Sequence, residues 1–384
     1  MGRGKKPPLG LRAGALRVLV LEGFWGGSHR AAAEGWSRAS RHAVSLEHLP
    51  ARFWKWRMRG AAFELARRLR GRLDGIDVLF ATNVMDLAHL RAFLPERIPT
   101  VLYFHENQAS YPSLEEEGAP EPDLSYAFTD LAGALAADRV AFNSAYQQQA
   151  FFSAMGALIR RMPDTRPRWA LEEVRAKCAV LPLGVSLSDI PARRGADGGP
   201  PVLVWNHRWE YDKDPGTFFR VLGRLAERGV AFRVAVLGES FRRRPPAFEE
   251  ARRSLGERIV RWGFVPDREE YLGILARADV AVSTARQENF GISLLEAAYA
   301  GAHPLAPRRL SYPEVLPPEL HPGCLYRDEA DLESRLVSLL TGQEARLAPE
   351  TLRSLLGVWD WERRAPEWDE FVAQVPGGRK VWYK

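Results

Sequence analysis

Twelve short apolar runs, most of them separated by stretches of helix length, constrain this chain more than any other feature. The first six are Arg17–Leu21, Val44–Leu46, Val78–Ala81, Thr100–Phe104, Arg139–Phe142 and Ala179–Leu181. Several lack the polar alternation of a half-exposed strand, which is the signature of parallel strands buried on both faces. Between them lie helix-compatible segments such as Ala61–Arg70, Asp123–Ala137 and Ala145–Ala154. The Gly- and Pro-rich stretch Pro191–Pro201 then breaks the rhythm. It restarts at Val202–Trp205, Arg233–Leu237, Ile259–Arg261, Val280–Ser283, His303–Leu305 and Cys324–Tyr326. Alternating strands and helices predict a doubly wound parallel sheet in each half. The expected fold class is therefore α/β, with two Rossmann-like domains over residues 1–190 and 200–354. An aromatic tail at 355–384 is expected to return to the first domain. Tandem domains of this kind direct their strand C-termini toward a shared cleft, where ligands bind.

Charge sharpens the division. The net charge is only +6, yet residues 1–70 hold fifteen Lys/Arg against four acids. That asymmetry points to a polyanionic partner for the first half. Of the 54 basic residues only seven are Lys, and guanidinium suits bidentate phosphate contacts. Two cysteines, Cys178 and Cys324, exclude a disulfide framework and a cysteine-rich zinc site. The first apolar run is too short for a membrane span or a signal segment. A cytoplasmic, soluble monomer is the expectation.

The sharpest motif is Glu288-Asn-Phe-Gly-Ile-Ser-Leu-Leu-Glu296. It predicts a turn over Gln287–Gly291 that opens a helix at Ile292. A helix N-terminus beside a small Gly seats phosphate. Glu288 in the loop and Glu296 inside the helix can hold sugar and ribose hydroxyls. Upstream, Asn206-His-Arg-Trp-Glu-Tyr-Asp-Lys-Asp-Pro215 places Arg208 and Lys213 in a strand-to-helix loop. Two fixed cations there can stabilise a departing diphosphate. Taken singly, each pattern is more often an ordinary helix start or a solvated loop charge; together they favour a site. In the first half, Arg52–Arg59 interleaves Arg52, Lys55, Arg57 and Arg59 with Phe53, Trp54 and Trp56. Cations alternating with aromatics suit RNA, and equally a packed aromatic edge with solvated arginines. Arg160, Arg161, Arg166 and Arg168 form a second basic cluster.

The Glu-x7-Glu motif with its Arg/Lys pair resembles the retaining GT-B glycosyltransferases of family 4. Leu183-Gly-Val185, Val236-Leu-Gly-Glu239 and Gly263-Phe-Val-Pro266 fit that pattern at the hinge and at the second-domain strand ends. A closer resemblance, to the tRNA-queuosine mannosyltransferases, rests on several phrases. In the first half these are Glu22-Gly-Phe-Trp-Gly-Gly-Ser-His29, Arg52–Arg59, Tyr103-Phe-His-Glu-Asn-Gln108, Ala141-Phe-Asn-Ser144 and Met162-Pro-Asp-Thr-Arg-Pro167. His207–Pro215 and Ser283-Thr-Ala-Arg-Gln-Glu-Asn-Phe-Gly291 carry it in the second.

The resemblance implies transfer of mannose, with retention, from GDP-mannose to the cyclopentene-diol of queuosine at the wobble position of tRNA-Asp. It implies no metal and no other cofactor. Catalysis then falls to His105, Arg208, Lys213 and Glu288. Donor binding adds Gly26, Gly27, Gly238, Phe264, Val265, Asn289, Phe290, Gly291, Ile292 and Glu296. Acceptor binding falls to Glu22, His29, Glu106, Asn107 and, for the anticodon loop, Arg52, Trp54, Lys55, Trp56, Arg57 and Arg59. Both a front-face departure of the diphosphate and a double displacement through Glu288 fit these residues. The alternative is a family 4 enzyme with a lipid or glycan acceptor, for which no amphipathic membrane helix is evident in the sequence.

Overall fold

A computed structural model describes residues 14–95, 97–111, 124–193, 198–240 and 246–376. All twelve apolar runs form strands. In the first half these are β1 (Arg17–Trp25), β2 (Ala43–Pro50), β3 (Val78–Thr82), β4 (Thr100–Phe104), β5 (Arg139–Phe142) and β6 (Cys178–Val180). Every pairing among them is parallel, in the order β2-β1-β3-β4-β5-β6. The connecting helices are α1 (Gly27–Ala39), α2 (Trp54–Leu69), α3 (Leu87–Phe93), α4 (Leu124–Ala136), α5 (Ala145–Arg161) and α6 (Arg168–Lys177). Strands β3 and β4 are buried along their whole length, as covering helices on both faces require.

The second half repeats the plan with β7 (Val202–Asn206), β8 (Arg233–Leu237), β9 (Ile259–Gly263), β10 (Val280–Val282), β11 (His303–Pro307) and β12 (Leu325–Tyr326). Their order is β12-β11-β10-β7-β8-β9, again parallel. The larger helices around this sheet are α7 (Pro215–Glu227), α8 (Ala247–Leu255), α9 (Arg268–Leu275) and α10 (Ile292–Ala300). Beyond α10 come two single turns, α11 (Tyr312–Val315) and α12 (His321–Cys324), then α13 (Glu329–Thr341) and α14 (Pro349–Leu356). Each sheet reverses its winding at one point, between β1 and β3 in the first and between β7 and β10 in the second. Loops leaving such strand ends form the crevice where ligands sit.

The described residues up to Ser110, those from 124 to Gly184 and those from Trp361 onward make one compact unit; Val185–Asp360 belongs to the other. The division thus falls inside the Leu183–Val185 segment, between Gly184 and Val185, ahead of the Pro191–Pro201 stretch. The tail is split as well. Helix α14 stays with the second unit, whereas α15 (Trp361–Ala373) packs on the first sheet. There Trp368 lies 4.8 Å from the Tyr103 ring and 5.2 Å from Trp36. The buried Asp369 carboxylate accepts from Trp36 Nε1, Ser40 Oγ and the Arg41 amide. A buried carboxylate with three donors is well satisfied, so this polar contact fixes the helix in place. Both cysteines are free thiols.

Candidate active site

In the first unit, chemistry gathers at the reversal point. Glu22 lies on β1 with no exposed surface. Its Oε1 accepts from the Phe24 amide at 2.7 Å, and its Oε2 meets His29 Nδ1 at 3.0 Å. His29 stands in the first turn of α1, entered through Gly27 at φ +49°, the left-handed region where glycine is at ease. The His29 ring then lies 4.0 Å from that of His105, at the end of β4. Burial, reinforced by His29, holds His105 well below the ordinary imidazole range, so it is neutral at pH 7. Glu22, His29 and His105 bring one ligand-type atom each within 4.8 Å of one another, a geometry that could also hold a divalent cation.

A buried polar frame supports this cluster, and two of its members, Asn83 and Asp130, did not stand out in the sequence. Asn83, just beyond β3, donates to the Glu106 carbonyl at 2.7 Å and to Asp130 Oδ1 at 3.2 Å, and accepts from the His105 amide at 3.3 Å. Asp130 Oδ2 accepts from the Gln108 amide, and Asn143 donates to the His105 carbonyl. Burial raises the Asp130 carboxyl to about 7 against the opposing pull of these donors. Glu106 is part-buried and accepts from Gln108 Nε2. Asn107 departs from the expected acceptor contact. It is fully buried, and its Oδ1 closes the turn by accepting from the Ser110 amide and hydroxyl.

The basic-aromatic segment is a helix start. Arg52 and Phe53 precede α2, and Phe53 adopts φ +53° while its ring is 66% exposed. Trp56 is 76% exposed; Trp54 leans on Tyr126 at 5.5 Å, with Lys55 over its own ring. Two of the expected RNA contacts also bond within the fold. Arg57 Nε donates to the Pro50 carbonyl, and Arg59 bonds Ser125 and Thr129 while stacking on Tyr126. In the second basic cluster, Arg160 and Arg161 close α5 and Arg168 opens α6.

In the second unit, Lys213 ends a short 3-10 turn after β7 and is buried. Its Nζ donates to the Gln287 carbonyl at 2.7 Å and lies 3.3 Å from Glu288 Oε2 and 3.2 Å from Asp212 Oδ2. Burial alone would lower this amine, but Glu288 and Asp212 hold it above the usual lysine value. For Glu288 the burial penalty is outweighed by Lys213 and His207, so its carboxyl stays below the usual range. Its other oxygen, Oε1, accepts from the Gly291 amide at 3.1 Å. The Gly291 N–H expected to be free for phosphate is thus engaged by the preceding carboxylate. Arg208 pairs with Glu210 at 3.3 Å and remains half exposed. His207, which the motif reading passed over, is buried beside this group; Nδ1 contacts Ser293 Oγ at 3.1 Å. Burial and then Lys213 push its pKa down to about 4.

Glu296 points to a separate set of partners on α9. Arg268 Nη2 lies 2.5 Å from one oxygen and the Tyr271 hydroxyl donates to the other at 3.1 Å. Asn206 Nδ2 in turn donates to the Tyr271 oxygen and to the Ser293 carbonyl. Gly238, expected at the donor, has a steric duty: a Cβ there would stand 1.8 Å from the His207 carbonyl. Of the loop after β9, Phe264 is exposed and Val265 buried. Phe290 is buried edge-on against Trp359, which leaves only its backbone for a ligand; Asn289 accepts from Gln287, and Ile292 begins α10.

Known proteins resemble this chain in sequence and in fold. A model of the tRNA-queuosine alpha-mannosyltransferase N-terminal region matches residues 17–185. A model of glycosyl transferases group 1 matches residues 200–342. The tRNA-queuosine alpha-mannosyltransferase of Drosophila melanogaster is 37% identical over 317 residues, covering 79% of this chain and 82% of that protein. This chain belongs to the tRNA-queuosine alpha-mannosyltransferase family. The family match spans both units, including the β1–α1 and β4 loops and the Lys213–Glu288 pair. A GDP-mannose-dependent alpha-(1-6)-phosphatidylinositol dimannoside mannosyltransferase of Mycobacterium tuberculosis is 25% identical over 193 residues, 48% of this chain and 49% of that one. Among solved structures, sucrose-phosphate synthase from Thermosynechococcus elongatus superposes with a TM-score of 0.69 at 14% identity, covering 93% of this chain and 98% of that one. A trehalose-6-phosphate synthase gives 0.67 at 12%, covering 94% and 99%. These likenesses fix the GT-B fold, and the family makes the chain a glycosyltransferase. No helix among the described residues is long and apolar enough to cross a membrane.

Proposed function

We propose that this family member transfers mannose from GDP-mannose to the cyclopentene-diol of queuosine at the wobble position of tRNA-Asp, with retention at the anomeric carbon. The observation that carries the reading is the 37% identity to the Drosophila enzyme over 79% of the chain. For GDP-mannose as donor, support comes from the mycobacterial relative, a GDP-mannose-dependent enzyme. In this reading the second unit binds the donor. Lys213 and Arg208 stabilise the leaving diphosphate, Glu288 holds sugar hydroxyls, and Glu296 takes the ribose diol in exchange for Tyr271 and Arg268. The first unit receives the acceptor through Glu22, His29, His105 and Glu106, with the exposed Arg52, Lys55, Trp54 and Trp56 on the anticodon loop.

A front-face departure fits better than double displacement. Glu288 has one oxygen on the Gly291 amide and the other facing Lys213, and a carboxylate held on both sides is a poor nucleophile. Charge neutralisation by Lys213 and Arg208 makes a metal unnecessary for leaving-group departure. We place the enzyme in the cytoplasm as a monomer. Deleting the gene in its host should abolish the mannosylated nucleoside, read by mass spectrometry of digested tRNA. An unchanged profile, or accumulation of an under-mannosylated lipid, would refute the assignment.

A further inference from the structure

One exposed face of α2 carries more aromatic surface than the fold needs. Trp56 (76% exposed) and Phe63 (56%) are seven residues apart, two helical turns along one face and separated by about 10 Å of rise. Phe63 does not stand alone: its ring centroid is 5.4 Å from Phe93, which is 47% exposed, and 6.3 Å from His89 on the same neighbouring helix. Between Trp56 and Phe63 on this face sits Gly60, and a Cβ added there would meet nothing within 4 Å. A glycine in mid-helix costs roughly 1 kcal/mol against alanine, and no neighbour requires this one to be small. The result is an open floor with an exposed ring at either end.

The surroundings select the partner. Between Arg52 and Arg72 there are eight Lys/Arg and one carboxylate; Glu64 pairs with Arg67 and Arg68, and Glu47 with Arg68 and Arg72, which leaves the helix net positive with Arg52 and Lys55 at its Trp56 end. Rings set apart on a cationic helix suit unstacked bases flanked by phosphates; a protein-binding face would favour a contiguous apolar patch with few charges. We propose that Phe63 and Phe93 extend the Trp56 contact into a longer RNA platform, which stacks unpaired bases of the tRNA outside the wobble nucleotide. The inference rests on the reading of tRNA as acceptor. It adds a contact that sets tRNA affinity and leaves the chemical step alone.

The test compares the full-length protein with Phe63→Ala/Phe93→Ala, assayed with queuosine-containing tRNA. The KM for tRNA should rise about tenfold, equivalent to about 1.4 kcal/mol, with kcat unchanged. Phe63→Tyr/Phe93→Tyr, which keeps the rings, should restore it. Gly60→Gln separates binding from folding: it should raise Tm through helix propensity while also raising KM by filling the floor. Filter binding of the same tRNA reads the face without turnover, so failure of the mannosyl-transfer reading stays distinguishable from failure of this one. Wild-type tRNA affinity in the double alanine variant would overturn the platform, including the case in which that variant loses binding to a protein partner instead.

Discussion

The two units carry sites of opposite electrostatic character. In the second, a buried Lys213 stands against Asp212 and Glu288, with Arg208 beside them. In the first, Glu22 is paired with His29, and a neutral His105 lies tilted against that imidazole. Permanent charges suit a permanently charged ligand such as a diphosphate. Imidazoles backed by one carboxylate suit a neutral diol, which asks for hydrogen bonds and proton movement. Under the proposed function this difference assigns the leaving group to the second half and the incoming hydroxyl to the first, and it can be broken by substitution.

The largest effect is expected from Lys213→Ala. Removing the buried cation should lower kcat at least about 100-fold, the scale of losing a key electrostatic stabiliser. It should leave tRNA affinity within twofold; equal loss of tRNA binding would blur the two halves into one site. Next comes Glu22→Gln, which removes the charge facing His29. It should lower transfer about tenfold or more while donor hydrolysis in the absence of tRNA persists. A parallel fall in hydrolysis would move Glu22 to the donor side.

Asp130 gives a smaller effect, seen in stability. Its carboxyl is raised from 3.8 to about 7 in the folded protein. With the folded pKa above the unfolded one, the native state holds the extra proton. The stabilisation is therefore complete below pH 3.8 and is lost as pH rises toward 7, by up to about 4 kcal/mol. Asp130→Asn mimics the protonated acid, so urea midpoints should show the variant gaining on wild type between pH 5 and pH 8. A constant difference across that range would show that Asp130 does not titrate there. Smallest is Trp56→Ala, which should raise the KM for tRNA a few fold and leave the KM for the donor untouched.

The same comparison explains what the sequence could reveal. Every strand was legible because parallel strands buried on both faces must be written as short apolar runs. The second unit's site residues were legible too, since Lys213, Glu288 and Glu296 lie in two compact phrases at the ends of β7 and β10. The first unit's cluster draws on positions 22, 29, 83, 105 and 130, which only the sheet order brings together. Asn83 left one faint signal, a polar residue closing an apolar run. Asp130 left none, being a single acid in an apolar helix. His207 was hidden among charged neighbours. Arg52–Arg59 read as either strand or helix because its bulky aromatics and arginines favour neither strongly, and only the structure shows Arg57 and Arg59 bonded to Pro50, Ser125 and Thr129.

The most direct test of the whole account is transfer of radiolabelled mannose from GDP-mannose by the purified protein onto two matched tRNA-Asp samples, with and without queuosine. The account predicts label in the queuosine sample alone, recovered on that nucleoside after digestion and abolished by Lys213→Ala. Equal labelling of both samples, or label appearing only when a lipid acceptor is supplied, would contradict it.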